Sequence, residues 1–517
     1  MDFDALIIGS GFGGSVAALR LSEKGLRVAV IEMGRRVSRE DLELANQRPQ
    51  HLFWMPSLGM KGIFTQRFFQ HATIVGGVGV GGGSLVYAAV LLEPKAGFYH
   101  DPAWADSGLD WEEELRPHYQ TAARMLGRVT CPTHGEQDEA LRETAQAMGV
   151  GDTYGPVPLG IYFGGGTNPD PFFGGQGPER SGCIECGACL AGCASGAKNS
   201  LDMNYLYLAE KLGAKILPEH KATLIEQIEG GYRVELTNPL NGERQPSLSA
   251  PRLVLAGGVL GTLELLFRSR ERGTLSRLSA MLGKRVRTNS EAITGVLSPD
   301  PAVDMSHGPA ISSDFHANDH THITQNRLPA SYWFMKLYSG PLVDGSHPLR
   351  RALQTLATCL THPLEASASL RVLKDWHKRI TLISTMQSLD NQMAFRWGRG
   401  LFSGFKKGLQ SSTPSGKSAP TYIPEANRAA RTYAQLTGGT PHNALLESVL
   451  NMSVTAHILG GCAIGTDPGN GVIDARQQVF GYPGMYVLDA SAIPANVGVN
   501  PSLTITAMAE RAMSNWE

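Results

Sequence analysis

DALIIGSGFGGSVAALRLSEKGLRVAVIEMG, residues 4–34, decides the fold. Asp4–Ile8 is a short apolar run that predicts a buried parallel strand. Gly9, Gly11 and Gly14 follow as G-x-G-x-x-G. Ser15–Lys24 predicts a helix with small residues on the face that meets the strand. Gly25 ends it, and Arg27–Ile31 predicts a second strand. Each glycine has a physical reason. Gly9 permits the turn, Gly11 lets backbone approach a pyrophosphate, and Gly14 lets helix pack on strand. The helix amino terminus favours the phosphate charge. Glu32 closes the second strand, 23 residues after Gly9, where a carboxylate can bind both ribose hydroxyls of an adenosine. That carboxylate disfavours NADP and leaves FAD and NAD open.

IVGGVGVGGGSLVYAAV, residues 74–90, is a second glycine loop, with six glycines between Gly76 and Gly83. Such a loop suits backbone N–H groups that pass close to a flat or anionic ligand. The strand-like SLVYAAV that follows at once argues against a flexible linker. Near the carboxyl terminus, Met485–Leu488 predicts a buried strand with Asp489 at its end, where doubly wound sheets place ligand-binding groups. NPSLTITAMAERAM begins a helix, with Asn500 at the cap and Pro501 at the first helical position. His457 precedes a Gly-Gly pair in a polar turn.

Composition narrows the function classes. The chain has 517 residues, 42% hydrophobic and 18% charged, with a net charge of -1. Nothing there favours nucleic acid as a partner. No secretory leader precedes the first strand, and no run of about 18 apolar residues predicts a transmembrane helix. A cytoplasmic location is the default expectation, and there clustered cysteines read as metal ligands before disulfides.

VGVGGGSLVYAA (78–89), LAGGVLGTLELLFRSRERG (255–273), HILGGCAIG (457–465) and YVLDASAIPANVGVNPSLTI (486–505) follow the fingerprint in order. Together they resemble the glucose–methanol–choline (GMC) oxidoreductases, a flavin family, most closely its cholesterol oxidase branch. A subgroup of that branch carries a run similar to CIECGACLAGCASGAKN (183–199). The likeness covers nearly the whole chain. It implies FAD rather than NAD, and an alcohol substrate. It implies His457 as catalytic base, Asn500 as the amide facing flavin and substrate, and Asp489 as a flavin-binding aspartate. Gly83 falls beside the isoalloxazine, and Ala222 matches the strand residue whose backbone meets the adenine. The full cofactor lining expected is Gly9, Gly11, Phe12, Gly13, Gly14, Glu32, Gly77, Gly82, Gly83, Ser84, Tyr87, Ala222, Gly257, Asp489, Asn500, Pro501 and Ser502. Two departures stand out. Tyr87 replaces an Asn of the family, and Thr324 and Gln325 stand where the family carries the Glu that moves a proton in steroid isomerisation.

The expected fold class is α/β. A Rossmann-like FAD-binding domain is assembled from 1–100, 200–290 and 450–517. A discontinuous α+β substrate domain on an antiparallel sheet occupies 291–449, and 101–199 connects the two. Within 291–449, RITLISTMQSLDNQMAFRW (379–397) predicts a hairpin. LQSSTPSGKSAPTYIP (409–424) predicts a loop, and EANRAARTYAQL (425–436) a helix. QHLFWMPSLGMKGIFTQRFFQ (50–70), aromatic with interspersed basic residues, has two readings. One is a lip that touches lipid, which would make the protein membrane-peripheral; the other is core packing beneath a loop.

Cys183, Cys186, Cys189 and Cys193 form C-x2-C-x2-C-x3-C and hold four of the seven cysteines. The spacing matches ferredoxin-type runs, so a [4Fe-4S] or [3Fe-4S] cluster is one expectation. Zinc and a metal-free thiol-rich loop are the others. The expected activity is FAD-dependent oxidation of a bulky apolar alcohol, sterol-like, by hydride transfer to flavin N5 with His457 as base. The alternatives are an electron-transfer subunit with flavin and cluster, and an alcohol dehydrogenase for long-chain or aromatic alcohols. The electron acceptor stays open between a protein, a quinone and O2.

Overall fold

Five strands gathered from across the chain form one parallel sheet. Their order is Lys215–Leu217, Val28–Ile31, Ala5–Ile8, Arg252–Leu255 and Met485–Val487. This computed structural model describes residues 1–104, 108–414 and 416–516. Every residue of Ala5–Ile8 and Val28–Ile31 is buried, as parallel strands covered on both faces require. Burying each Ile, Leu or Val there contributes roughly 1.5–3 kcal/mol. The helix Phe12–Glu23 lies against the terminal helix Ser502–Ser514. Arg20 Nε pairs with Glu510 at 2.8 Å across that contact, and the Tyr205 hydroxyl donates to the same carboxylate at 2.6 Å. The first and last helices are thus locked over the fingerprint.

A second, seven-stranded sheet is antiparallel. Its order is Ser339–Pro341, Thr440–Ala444, Ala292–Leu297, Ile380–Gln387, Thr321–Asn326, Ser313–Asn318 and Gly155–Pro156. A short parallel pairing of Ser453–Thr455 with Ala72–Gly77 lies beyond it. Among the described residues no helix is long and apolar enough to cross a membrane.

The structure differs from the local reading in places. The hairpin expected over 379–397 does not form. Ile380–Gln387 pairs with Ala292–Leu297 and Thr321–Asn326, whereas Ala394–Arg399 pairs with Lys407–Ser412. Alternation locates strands but not their partners. The same pairing shortens the loop expected over 409–424, of which Ser415 lies outside the described residues. The expected helix at 425–436 forms as Pro424–Thr437 and ends on Gly438 at φ 64°, a left-handed turn that glycine adopts at least cost. Segment 50–70 buries part of its apolar side chains and leaves Leu58 and Phe68 exposed. Leu52, Trp54, Phe64 and Phe69 are buried, and Phe53 meets Phe64 and Phe334 edge-on. The core-packing reading holds for these four buried residues.

Candidate active site

The fingerprint turn behaves as its glycines demand. Gly9 has φ 101°, and a Cβ there would sit 2.2 Å from the Ala256 carbonyl oxygen. A Cβ on Gly13 would meet the Leu488 carbonyl at 1.8 Å, so the helix start is pressed onto the end of the last strand. Gly11, in contrast, faces open space, as a backbone that receives a pyrophosphate must. The second glycine loop closes over this turn. A Cβ on Gly82 would lie 2.7 Å from Gly11 Cα, and Gly83 packs near the Phe12 ring. Gly77 backs onto Gly82, and Gly257 lies against Gly9.

Ser10 joins the two loops, although nothing in the glycine pattern marks it. Its hydroxyl donates to Glu32 at 2.6 Å and accepts from the Gly81 N–H at 3.1 Å. Glu32 is more committed than its motif suggests. Its oxygens also accept from the N–H groups of Ser10, Gly34 and Gly79. The expected ribose contact therefore shares a carboxylate that also shapes both loops. The His220 N–H donates to the Glu32 carbonyl at 2.9 Å, which brings the strand holding Ala222 to the same end. Ser84 donates to the Gly81 carbonyl at 2.7 Å and accepts from the Leu201 N–H. Tyr87 stacks edge-on against Phe12. Asp489 is buried, and its oxygens accept from Ser491 and Thr262, so its side chain organises the strand end. Gly11 open to space and the Gly82 cradle fit an FAD.

Beside the strand Ala72–Gly77, which leads into the second glycine loop, the chain builds a base. Thr455 ends the strand beside Ile74, and its hydroxyl accepts the His457 N–H at 3.0 Å. His457 Nδ1 bonds the Glu291 carboxylate, and the other Glu291 oxygen accepts from the Ala456 N–H at 2.9 Å. A carboxylate accepts only, so Nδ1 carries the proton and Nε2 the lone pair. The Asn500 amide nitrogen lies 3.4 Å from Nε2. Asn500 is buried, and its Oδ1 has no partner within the chain. The helix begins at Ser502 with Pro501 as its cap, one residue later than expected. Asn500 precedes the cap and is free to face His457.

Sequence reasoning passes over Glu291 because no local motif marks it. It ends RTNSE, a buried polar run before the apolar strand Ala292–Leu297. Two non-glycine residues of that run, Asn289 and Ser290, take φ 60° and 47°. Each left-handed residue costs about 1–3 kcal/mol. The Asn289 side chain offsets this by donating to the Val499 carbonyl at 2.9 Å and accepting from the Gly498 N–H at 2.7 Å. The turn that presents Glu291 thus also holds the loop that presents Asn500. Behind it lies Glu447, buried, whose carboxyl accepts from the Ile293 N–H. Burial, reinforced by the Glu291 charge, pushes Glu447 up to about 8.

The cysteine run does not build the metal site that its spacing suggests. Cys183, Cys186, Cys189 and Cys193 line one pocket. Yet among the described residues no group of three or more His, Cys, Asp or Glu side chains is placed to hold a metal ion. Backbone donors meet three of the sulfurs: Glu185 N–H to Cys183, Lys198 N–H to Cys193 and Ala310 N–H to Cys189. Burial pushes the Cys189 thiol up to about 11. The segment is latched by Lys198, whose ammonium donates to the carbonyls of Leu85, Tyr87 and Cys189 at 2.8, 3.1 and 2.8 Å. In this structure the run braces the segment that leaves the second glycine loop, where the strand expected from SLVYAAV is replaced by a 3-10 turn at Gly82–Leu85 and irregular backbone.

Gln325 donates to Asp138, Ser312 and Ser313, and Thr324 is buried. The position expected to carry the isomerising Glu thus belongs to a network centred on the buried Asp138–Arg327 pair.

A family model described as GMC oxidoreductase matches residues 370–509, and one described as an NAD(P)-binding Rossmann-like domain matches residues 7–53. A cholesterol oxidase of Mycobacterium tuberculosis is 43% identical, over 100% of this chain and 91% of its own. A cholesterol oxidase of Acinetobacter baumannii is 41% identical, over 99% and 94%. The crystal structure of a pyridoxine 4-oxidase from Mesorbium loti superposes with a TM-score of 0.65 at 17% identity, covering 99% of each chain. That likeness concerns the fold.

Proposed function

The chain belongs to the GMC oxidoreductase family, in its cholesterol oxidase-like branch, and from that premise we propose that this FAD-dependent alcohol oxidoreductase oxidises a sterol-like secondary alcohol to the ketone. The observation that carries the reading is the convergence of Glu291, His457 and Asn500. A subunit that only relays electrons needs no oriented base.

When bound, FAD supplies the electron sink, taking the carbinol hydride at N5 and passing both electrons to an acceptor. The two relatives named as oxidases support dioxygen as that acceptor, with hydrogen peroxide as product. The chain's own residues handle the proton and the oxygen. His457 Nε2 accepts the substrate hydroxyl proton as the C–H bond breaks, because its lone pair is kept open by the Glu291 contact at Nδ1. The Glu291 carboxylate then stabilises the imidazolium. Asn500 holds the substrate oxygen beside Nε2, its side chain fixed by burial. The residues fitted to the cofactor are the fingerprint glycines, Gly82, Gly83 and the Asp489 strand end.

Anaerobic bleaching of the flavin by a panel of sterols, long-chain alcohols and aromatic alcohols tests the reading. Sterols should bleach fastest. Bleaching by none of the panel would return the chain to the relay class, and a preference for long-chain or aromatic alcohols would keep the chemistry and replace the substrate.

A further inference from the structure

The helix Pro348–Thr361 is turned inside out. Leu349, Leu353, Leu356 and Leu360 recur at steps of four, three and four, so they share one face. That face is 52–82% exposed. The opposite face, which packs inward, carries Arg351 and Thr355, both buried. Arg351 is anchored through its two terminal nitrogens, donating to the Thr421 carbonyl at 2.6 Å, the Thr421 hydroxyl at 2.7 Å and the Glu447 carbonyl. Leu364 and Leu373 continue the apolar surface at 67% and 88% exposure.

We propose that this leucine face docks on the surface of a lipid bilayer carrying anionic headgroups. Exposed Arg350, Arg371 and Lys374 flank the leucines in sequence, and residues 347–375 contain two acidic residues, Glu365 and Asp375, against these three exposed cations. Leucines at the acyl boundary with cations at the phosphate level is the arrangement of an interfacial amphipathic helix. A second copy of the chain fits less well, because a two-fold contact through this face would set the same cations against one another. The choice of a bilayer also rests on the proposed activity, since a sterol-like alcohol resides in membranes rather than in water. The docking helix is rooted close to the base. Arg351 holds the Glu447 segment, and the Glu447 carboxyl lies within electrostatic reach of Glu291, which orients His457.

Flotation of the flavin-loaded protein with two vesicle preparations tests the proposal, one of phosphatidylcholine alone and one of phosphatidylcholine with phosphatidylglycerol. The expected result is binding to the anionic vesicles at least about tenfold tighter, and weakened by salt. Leu356→Asp/Leu360→Asp should lower that binding by about tenfold or more with FAD content unchanged. Arg350→Glu/Lys374→Glu, which leaves the leucines in place, should remove the preference for anionic vesicles. Failure of the unaltered protein to float with either preparation overturns the proposal, as does a leucine variant that floats equally well. A concentration-dependent dimer that the leucine variant abolishes would assign the face to a second copy instead. Flotation needs no substrate, so a chain that floats but is bleached by no alcohol keeps the surface and loses the activity reading.

Discussion

The Glu291 carboxylate meets His457 Nδ1 across 166 positions of sequence, and this one contact sets which nitrogen of the ring faces Asn500. Replacing the carboxylate by an amide removes the charge that stabilises the imidazolium. Glu291→Gln is expected to lower kcat by about tenfold or more. A merely structural Glu291 would lower the amount of folded protein and leave kcat per flavin-loaded chain unchanged.

His457→Ala should lower turnover by roughly 10²–10⁴-fold, the usual worth of a positioned base. FAD content should stay normal, because the glycine loops and the Asp489 strand end form the cradle without the imidazole. A loss smaller than about tenfold with the true substrate would reduce His457 to a structural residue.

Glu447 makes stability depend on pH. Its folded value of about 8 lies above the ordinary 4.5 of a Glu. The folded chain therefore holds a proton that the unfolded chain has lost between those two values. Its stabilising share is full below about pH 4.5 and is lost as pH rises through about 8, with a slope of at most about 1.4 kcal/mol per pH unit. Glu447→Gln keeps the shape without the proton. Thermal melts at pH 5, 6.5 and 8 should show the variant gaining on the parent as pH rises. Parallel Tm profiles would show that Glu447 is ionised at neutral pH.

The purified protein should carry FAD without stoichiometric iron, zinc or acid-labile sulfide, since the four cysteines form no ligand set. Exposed Cys186 should be alkylated first, and buried Cys189 only on unfolding. Metal present at one or more atoms per chain, and lost in Cys189→Ser, would restore the cluster expectation and with it an acceptor other than dioxygen.

What is legible in the sequence is local or shared with a family. Gly9 to Glu32 can be read because the turn, the helix start and the strand end are consecutive in the chain. His457 and Asn500 are named through resemblance, and the structure brings them within 3.4 Å of each other. Glu291, Ser10 and Lys198 escape such a reading, because each works through a partner that only the tertiary fold delivers. The cysteine spacing fits a ligand run, but ligand geometry depends on where each sulfur points. The hairpin expected over 379–397 fails for the same reason: the strand pattern is right and the partners lie elsewhere in the chain.

The parallel sheet also has a kinetic side. Arg252–Leu255 is completed on one edge by Met485–Val487, and the register pairs Leu253 with Met485, 232 positions later (485 − 253). Closing so long a loop adds little to the equilibrium balance, because loop entropy grows only as the logarithm of length. It delays assembly far more, since non-local parallel pairings form last. Until then the strand offers an apolar, unpaired edge to any neighbouring chain. Recovery of this protein from denaturant should therefore be limited by a race between that late docking and self-association, with yields that fall as protein concentration rises.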